Sequence, residues 1–337
     1  FSINPYTSLY GYYSRFHGGL LSTVAYVVLF YVFVSVFFPP RTKSTNQSES
    51  LWDQPLGRWL VSAGLGLVLA SLYAFPEHFG YSPSCQLATG KFNVACWVQD
   101  VQNRVFGTFG QPNWLAAYLI LFIPVGLAVS HQLKTLWQKC SVGIVVILWY
   151  VVLLFTKSRS GLVGLLIGLA IMAGYALVGA TKRGKLQLGK ISKQSMGVIA
   201  GIGMLFALLT LQIGTPLSPS LKELFSTNAP TPEQQTVIGP ALEVGGTESG
   251  TIRKIVWQGA LDVWKRYPIL GSGLETFAYS YYQSRPIEHN LVSEWDFLYN
   301  KAHNEWLNVL ANSGAVGFAA FLSLIGAPFL LGAVWLI

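Results

Sequence analysis

Long apolar runs separated by short polar stretches occupy most of the chain from Gly18 onward. A helix needs about 20 mainly apolar residues to cross a hydrocarbon core. Seven runs meet or approach that length: 18–38, 57–75, 114–130, 141–156, 161–180, 195–214 and 315–337. The fourth is short, and Pro124 interrupts the third, which membrane helices tolerate when neighbours re-satisfy the freed carbonyl. No polar residues line one face of these runs, which argues against a soluble helical bundle. The pattern predicts an all-α, polytopic transmembrane helical bundle of about seven spans, divided into six spans with short loops (1–214), a large loop (215–306), and an exit helix leading into a last span (307–337).

Within the large loop the pattern changes. Residues 215–250 are rich in Pro, Gly, Ser and Thr and read as an irregular linker. After Thr251, Ile252, Ile255, Val256, Gly259 and Val263 recur at helical spacing and Pro268 ends the run. An amphipathic helix over 252–266, lying along the membrane surface, is the expectation. A glycine-rich turn, Leu270-Gly271-Ser272-Gly273, and an aromatic stretch, Phe277 to Tyr282, follow it.

Composition agrees with a bilayer environment: 52% of residues are hydrophobic, 11% are charged and the mean hydropathy is +0.46, outside the balance of soluble domains. The net charge of +8 does not build one basic face, so nucleic acid is not an expected partner. The cations instead report sidedness, because short cytoplasmic loops retain Lys and Arg. Residues 181–194 carry Lys182, Arg183, Lys185, Lys190 and Lys193 with no acid, which places them in the cytoplasm. Alternation puts Arg41, Lys43, Arg58, Lys134 and Lys139 on the same side. The N-terminal stretch, residues 76–113, the turn 156–160 and the large loop then face outward, and ten of the fourteen acids fall in that loop. Cys85 and Cys96 lie in an outward segment, where either a disulfide or two small buried thiols would be consistent. The chain opens on Phe1 without a readable targeting segment, so a native start further upstream is expected.

Three places carry candidate chemistry. Lys157 and Arg159 sit in a very short outward turn, on the side the charge rule depletes. They suit a clamp for a phosphorylated or diphosphorylated ligand, or they snorkel to headgroups. Arg253 shares a helical face with Trp257, Ala260 and Trp264, which could hold a lipid phosphate or sugar, or anchor the helix at the interface. His303 follows Asn300, a candidate N-cap; in a first helical turn it would be neutral near pH 7 and able to accept a proton. No metal-ligand motif, Walker loop or dinucleotide fingerprint is visible, so neither a metal site nor a cofactor is expected.

Several separated segments together resemble the O-antigen ligase and O-antigen polymerase superfamily. They are Tyr10 to Gly18, Gly107 to Tyr118, Thr156-Lys-Ser-Arg-Ser-Gly161, Ile255 to Phe277 with its Tyr267-Pro-Ile-Leu-Gly-Ser-Gly273 turn, Ala302-His-Asn-Glu-Trp-Leu307, and Asn312-Ser-Gly314. Each motif is weak alone; their order over residues 10–320 is what makes the likeness specific. The resemblance implies a metal-independent membrane glycosyltransferase of the GT-C type in the bacterial cytoplasmic membrane, with its large loop facing the periplasm or exterior. It implies an undecaprenyl diphosphate-linked glycan donor and a glycan, lipid or protein acceptor. It carries the catalytic role to His303, Arg159 and Arg253. Lys157, Asn304, Trp257, Trp264 and Arg15 are expected substrate contacts, and the aromatics Trp257, Trp264, Tyr279, Tyr281 and Tyr282, expected to be exposed, either stack on sugars or anchor at the membrane interface. Members usually have more spans, so further helices beyond one or both ends are expected. A transporter or flippase for the same lipid-linked glycan is the alternative, although the spans hold no charge near the midplane of the kind transporters use.

Overall fold

The computed structural model describes residues 1–13, 17–37, 55–182, 193–215 and 249–336. Arg15, Arg41, Lys43, most of the basic 181–194 loop and the 215–250 linker, apart from its ends, lie outside the described residues. Everything regular among the described residues is helical. In chain order the α-helices are α1 (Pro5–Tyr10), α2 (Leu20–Phe37), α3 (Pro55–Ala74), α4 (Pro83–Thr89), α5 (Pro112–Gln132), α6 (Leu136–Phe155), α7 (Arg159–Lys182), α8 (Lys193–Ile213), α9 (Ser249–Arg266), α10 (Phe277–Gln283) and α11 (Glu305–Leu336). Among the described residues, six helical stretches are long and apolar enough to cross a membrane: Leu20–Phe37, Pro55–Phe79, Pro112–Gln132, Leu136–Phe155, Met196–Ile213 and Glu305–Pro328. The run read from sequence at 161–180 coincides with α7, whose described apolar part, Arg159–Gly174, is shorter than that.

The chain forms two compact units: residues 47–229, and residues 1–46 with 230–337. In the first unit, α3, α5, α6, α7 and α8 share a core that includes Leu67, Leu115, Leu119, Ile123, Trp149 and Leu153. Without a solvent-driven force between helices in lipid, close approach depends on small residues. A Cβ on Gly126 of α5 would lie 2.6 Å from Val146 of α6, and one on Gly161 of α7 would lie 2.9 Å from Ala116 of α5. Polar side chains lock the ends. Thr135 and Gln138 form a capping box at the start of α6, and the buried Lys139 ammonium donates to the Ser130 and His131 carbonyls at 3.4 and 3.2 Å, capping the negative end of α5. Tyr150 stacks on Phe206 at 3.8 Å and hydrogen-bonds Thr210 at 2.6 Å, joining α6 to α8.

The segment after α3 folds back over one end of this unit. The Gly107 N–H donates to the buried Glu77 carboxylate at 3.0 Å, the Val105 N–H donates to the Phe155 carbonyl at 3.1 Å, and His78 stacks on Phe155 at 3.8 Å. Cys85 and Cys96 are joined as a disulfide, which resolves the pair left open by the sequence. Closing a loop of this size is worth about 2–3 kcal/mol. Replacing both by serine should therefore make residues 80–106 several-fold more sensitive to limited proteolysis, as should reductant on the wild type; identical digestion patterns would refute that stabilising role.

In the second unit, α9 starts three residues earlier than the periodicity suggests, and its apolar face is not left for lipid. Ile252, Val256, Ala260 and Val263 are buried against Phe277, Tyr281, Val292, Tyr299 and Ala311. An amphipathic stripe looks the same in sequence whichever apolar surface covers it, and here protein does. The glycine turn at 271–273 meets a kink in α11 backbone to backbone. Gly314 adopts φ 63° and ψ −167°, the Ala315 and Val316 N–H groups donate to the Pro268 and Ile269 carbonyls at 2.9 and 3.2 Å, and Ser272 and Gly273 donate to the Ala311 and Asn312 carbonyls at 3.0 and 2.9 Å. The N-terminal stretch straps this turn, with the Ile3 N–H on the Ser272 carbonyl at 2.9 Å and the Ser8 hydroxyl on the Leu274 carbonyl at 3.0 Å. None of the α2 residues is buried, as befits a helix apolar on every side.

Candidate functional site

The turn between α6 and α7 is built by its small polar residues. Lys157 takes a left-handed conformation, φ 46°, reversing the chain between the two helices. Buried Ser158 then caps α7: its hydroxyl accepts the Gly161 N–H at 3.1 Å and donates to the Asn113 side chain at 2.9 Å. Asn113 lies in the Gly107–Tyr118 segment, so two separate stretches of the family likeness meet at this cap. Lys157 donates to Asn103 at 2.5 Å, and Arg104 reaches the Thr156 carbonyl and Asn113, both at 3.4 Å. Arg159 is the first residue of α7 and is exposed. Three cations thus surround the positive end of a helix dipole, and among the described residues no acid pairs with them. Such an arrangement opposes itself electrostatically and is relieved by an anion. Arg104 escaped the sequence reading because it lies 55 positions from Arg159, inside a loop without periodicity.

The other unit holds a pocket of about 230 Å³ lined by Ile252, Arg253, Glu294, Phe297, Tyr299 and His303. Arg253 and His303, singled out separately in sequence, line this one pocket. Helix α9 brings Arg253 to it. His303 is brought by the start of α11, although not as expected: Asn304, not Asn300, is the N-cap, accepting the Leu307 N–H at 3.4 Å on its side chain and the Asn308 N–H at 2.8 Å on its carbonyl. His303 therefore precedes the helix, in a left-handed conformation with φ 52°. The reason is local. Asn308 reaches back to take the N–H of fully buried Ala302 at 3.3 Å, which ends the possibility of a helix beginning at Asn300. The His303 ring meets the Tyr299 ring edge-on at 5.4 Å.

Behind the pocket lies a buried chain of rings that sequence reasoning missed. Fully buried His289 contacts the Glu294 backbone carbonyl through Nε2 at 3.1 Å and the Tyr281 hydroxyl through Nδ1 at 2.5 Å. A carbonyl only accepts, so Nε2 carries the proton. Burial pushes the His289 pKa below its ordinary value, so the ring is neutral and Nδ1 accepts the Tyr281 proton. Burial likewise raises the Tyr281 and Tyr299 phenols, the latter also through Glu294, and both stay protonated. The Tyr299 hydroxyl donates to the Glu294 carboxylate. Glu294 is thereby held at both its main chain and its side chain.

The remaining expected contacts fare unevenly. Trp264 commits its indole N–H to the Pro268 carbonyl at 3.2 Å, and Asn304 is engaged as the cap. Trp257 is half-buried, with its indole N–H out of water. Tyr281 is buried in the core rather than exposed, which corrects its reading as a sugar-stacking ring, whereas Tyr282 and, less so, Tyr279 are exposed. Among the described residues no group of three His, Cys, Asp or Glu side chains gathers as metal ligands would. A family model described as O-antigen ligase matches residues 142–322, a stretch that contains Arg159, Arg253 and His303. No curated protein and no solved structure matches the chain.

Proposed function

Since the chain belongs to the O-antigen ligase family, we propose that it moves a glycan from an undecaprenyl diphosphate carrier to an acceptor hydroxyl at the outer face of the bacterial cytoplasmic membrane. The observation that carries this reading is the convergence of Arg253 and His303, fifty residues apart, on one pocket outside the apolar helices. The Cys85–Cys96 disulfide suits an outward, oxidising side for its segment.

Polyprenyl diphosphate is already a good leaving group, so catalysis asks mainly for charge stabilisation and positioning. The acceptor oxygen forms a bond to the anomeric carbon as the bond from that carbon to the diphosphate oxygen breaks. The electron pair leaves with the diphosphate, and configuration inverts. His303 takes or hydrogen-bonds the proton of the incoming hydroxyl. Arg253 meets the growing negative charge on the diphosphate. Arg159, assigned a charge-stabilising role by its Ser-Arg-Ser motif, stands with Lys157 at a cationic helix end that suits a phosphate-bearing ligand.

The experiment is reconstitution of the full-length protein with an undecaprenyl diphosphate-linked oligosaccharide and candidate acceptors, read by mass spectrometry. A new glycosidic bond with release of undecaprenyl diphosphate is the expected result. Movement of intact donor between leaflets without bond formation would replace this reading with a flippase. In the same assay Arg159→Ala should lower transfer about 100- to 1,000-fold, the scale for losing one preorganised charge-stabilising group; an unchanged rate would remove Arg159 from the chemistry.

A further inference from the structure

Among the described residues, three that are not glycine hold a left-handed backbone: Lys157, Glu275 and His303. Such positions persist only where the surroundings over-determine them, and they concentrate at functional sites. Lys157 reverses the chain at the cationic turn, and His303 lines the pocket with Arg253. Glu275, with φ 55°, does neither. Its backbone is a rigid platform. On one side the Leu274 carbonyl accepts from Ser8 at 3.0 Å, and on the other the buried Thr276 hydroxyl donates to the Gly273 carbonyl at 2.7 Å. The Glu275 side chain is only 9% exposed. It rests on the bare α-carbon of Gly18, where a Cβ would come within 2.5 Å of Oε1. The same oxygen meets the Lys301 ammonium at 3.3 Å. Lys301 stands two residues before His303.

Resting on the catalytic role of His303 proposed above, we infer that Glu275 is a positioning residue that sets His303 through Lys301. The turn carrying His303 is gripped on both sides. Glu275 holds the Lys301 side chain, Asn308 holds the Ala302 N–H at 3.3 Å, and Asn304 caps α11. These bonds fix the backbone rather than the imidazole, and between them His303 keeps φ 52°, the conformation in which it lines the pocket. Stability alone does not account for the pair. The attraction within a largely buried ion pair is offset by its desolvation, and a left-handed glutamate adds strain that glycine would not. What the pair supplies is geometry, to which rates are far more sensitive than stability is: a misplacement of about 1 Å can cost on the order of 100-fold. Because its charge is already matched by a carboxylate, Lys301 orients the turn and does not bind the diphosphate.

The test uses proteoliposomes of the full-length protein with an undecaprenyl diphosphate-linked trisaccharide as donor and core oligosaccharide and serine-rich peptide as acceptors. Rates are read on whichever acceptor the wild type glycosylates, at a temperature where melting curves show each variant folded. Lys301→Met keeps the side-chain length without the charge; it should lower kcat about 10- to 100-fold while the donor KM changes by less than about twofold. Lys301→Arg, which rebuilds the pair, should stay within about threefold of wild type. Glu275→Gln keeps an acceptor oxygen for Lys301 but no charge, so its kcat should fall about 3- to 10-fold; it carries the test if Lys301→Met does not fold. Lys265→Met breaks the exposed pair with Asp262 and should leave both constants unchanged. Wild-type kcat in Lys301→Met, or in Glu275→Gln where the former does not fold, overturns the inference. So does a kcat in Lys301→Arg as low as in Lys301→Met, or a loss confined to the donor KM, which would make Lys301 a ligand of the diphosphate. A wild type that forms no product with any acceptor overturns the transfer reading itself, and full activity in His303→Ala overturns its catalytic histidine.

Discussion

His303→Ala should abolish glycan transfer, by about 100- to 10,000-fold, while the protein still inserts and folds. The backbone around His303 is fixed by neighbours: Asn308 holds the Ala302 N–H at 3.3 Å and Asn304 caps α11. The alanine variant inherits a left-handed position, φ 52°, and loses the edge-on contact with Tyr299 at 5.4 Å, changes that cost stability on the order of 1 kcal/mol. What it loses in function is the imidazole beside Arg253. A purified variant whose melting temperature falls by no more than a few degrees and that forms no product is the expected pair of measurements; full turnover would remove His303 from the catalytic role.

Gly314→Ala should be the most damaging single-methyl change to stability. At φ 63° and ψ −167° the backbone occupies a region almost restricted to glycine, and the new Cβ would fall on the Ile269 carbonyl and the Gly271 N–H. Neither can retreat, because the same carbonyl accepts the Val316 N–H and the Gly271 turn is bonded to residues 311 and 312. Strain and clash together should cost about 3 kcal/mol or more. Gly326→Ala in the same helix meets nothing within 4 Å and serves as the control. Equal melting temperatures for the two variants in detergent would show that the kink is not a fixed point of the fold.

That kink illustrates what the sequence can and cannot disclose. The spans were legible because a hydrocarbon core imposes length and apolarity, and six of the seven runs recur as helices of the required kind. Helix α9 was legible by its period, yet the same period could not say whether lipid or protein covers the apolar face. Protein covers it, through Phe277, Tyr281 and Tyr299. The Tyr267–Gly273 and Asn312–Gly314 motifs could be seen as separate likenesses, but only folding reveals that their glycines serve one backbone junction. The candidate site was legible where chemistry is loud, in Arg253 and His303. It was silent at Glu294, Tyr299 and His289, which sit in a stretch without periodicity and acquire meaning only from bonds across the pocket wall. The choice of Asn304 over Asn300 as cap had the same origin, since a side chain six residues ahead of Ala302 decides it.

The reaction itself is the most direct test. Proteoliposomes carrying wild-type protein or His303→Ala, loaded with undecaprenyl diphosphate-linked oligosaccharide and acceptor, are sampled over time by mass spectrometry. The wild type is predicted to convert donor into undecaprenyl diphosphate and glycosylated acceptor in equal amounts, with neither appearing in the variant. Donor that stays intact with the wild type, or equal product from both proteins, would contradict the account.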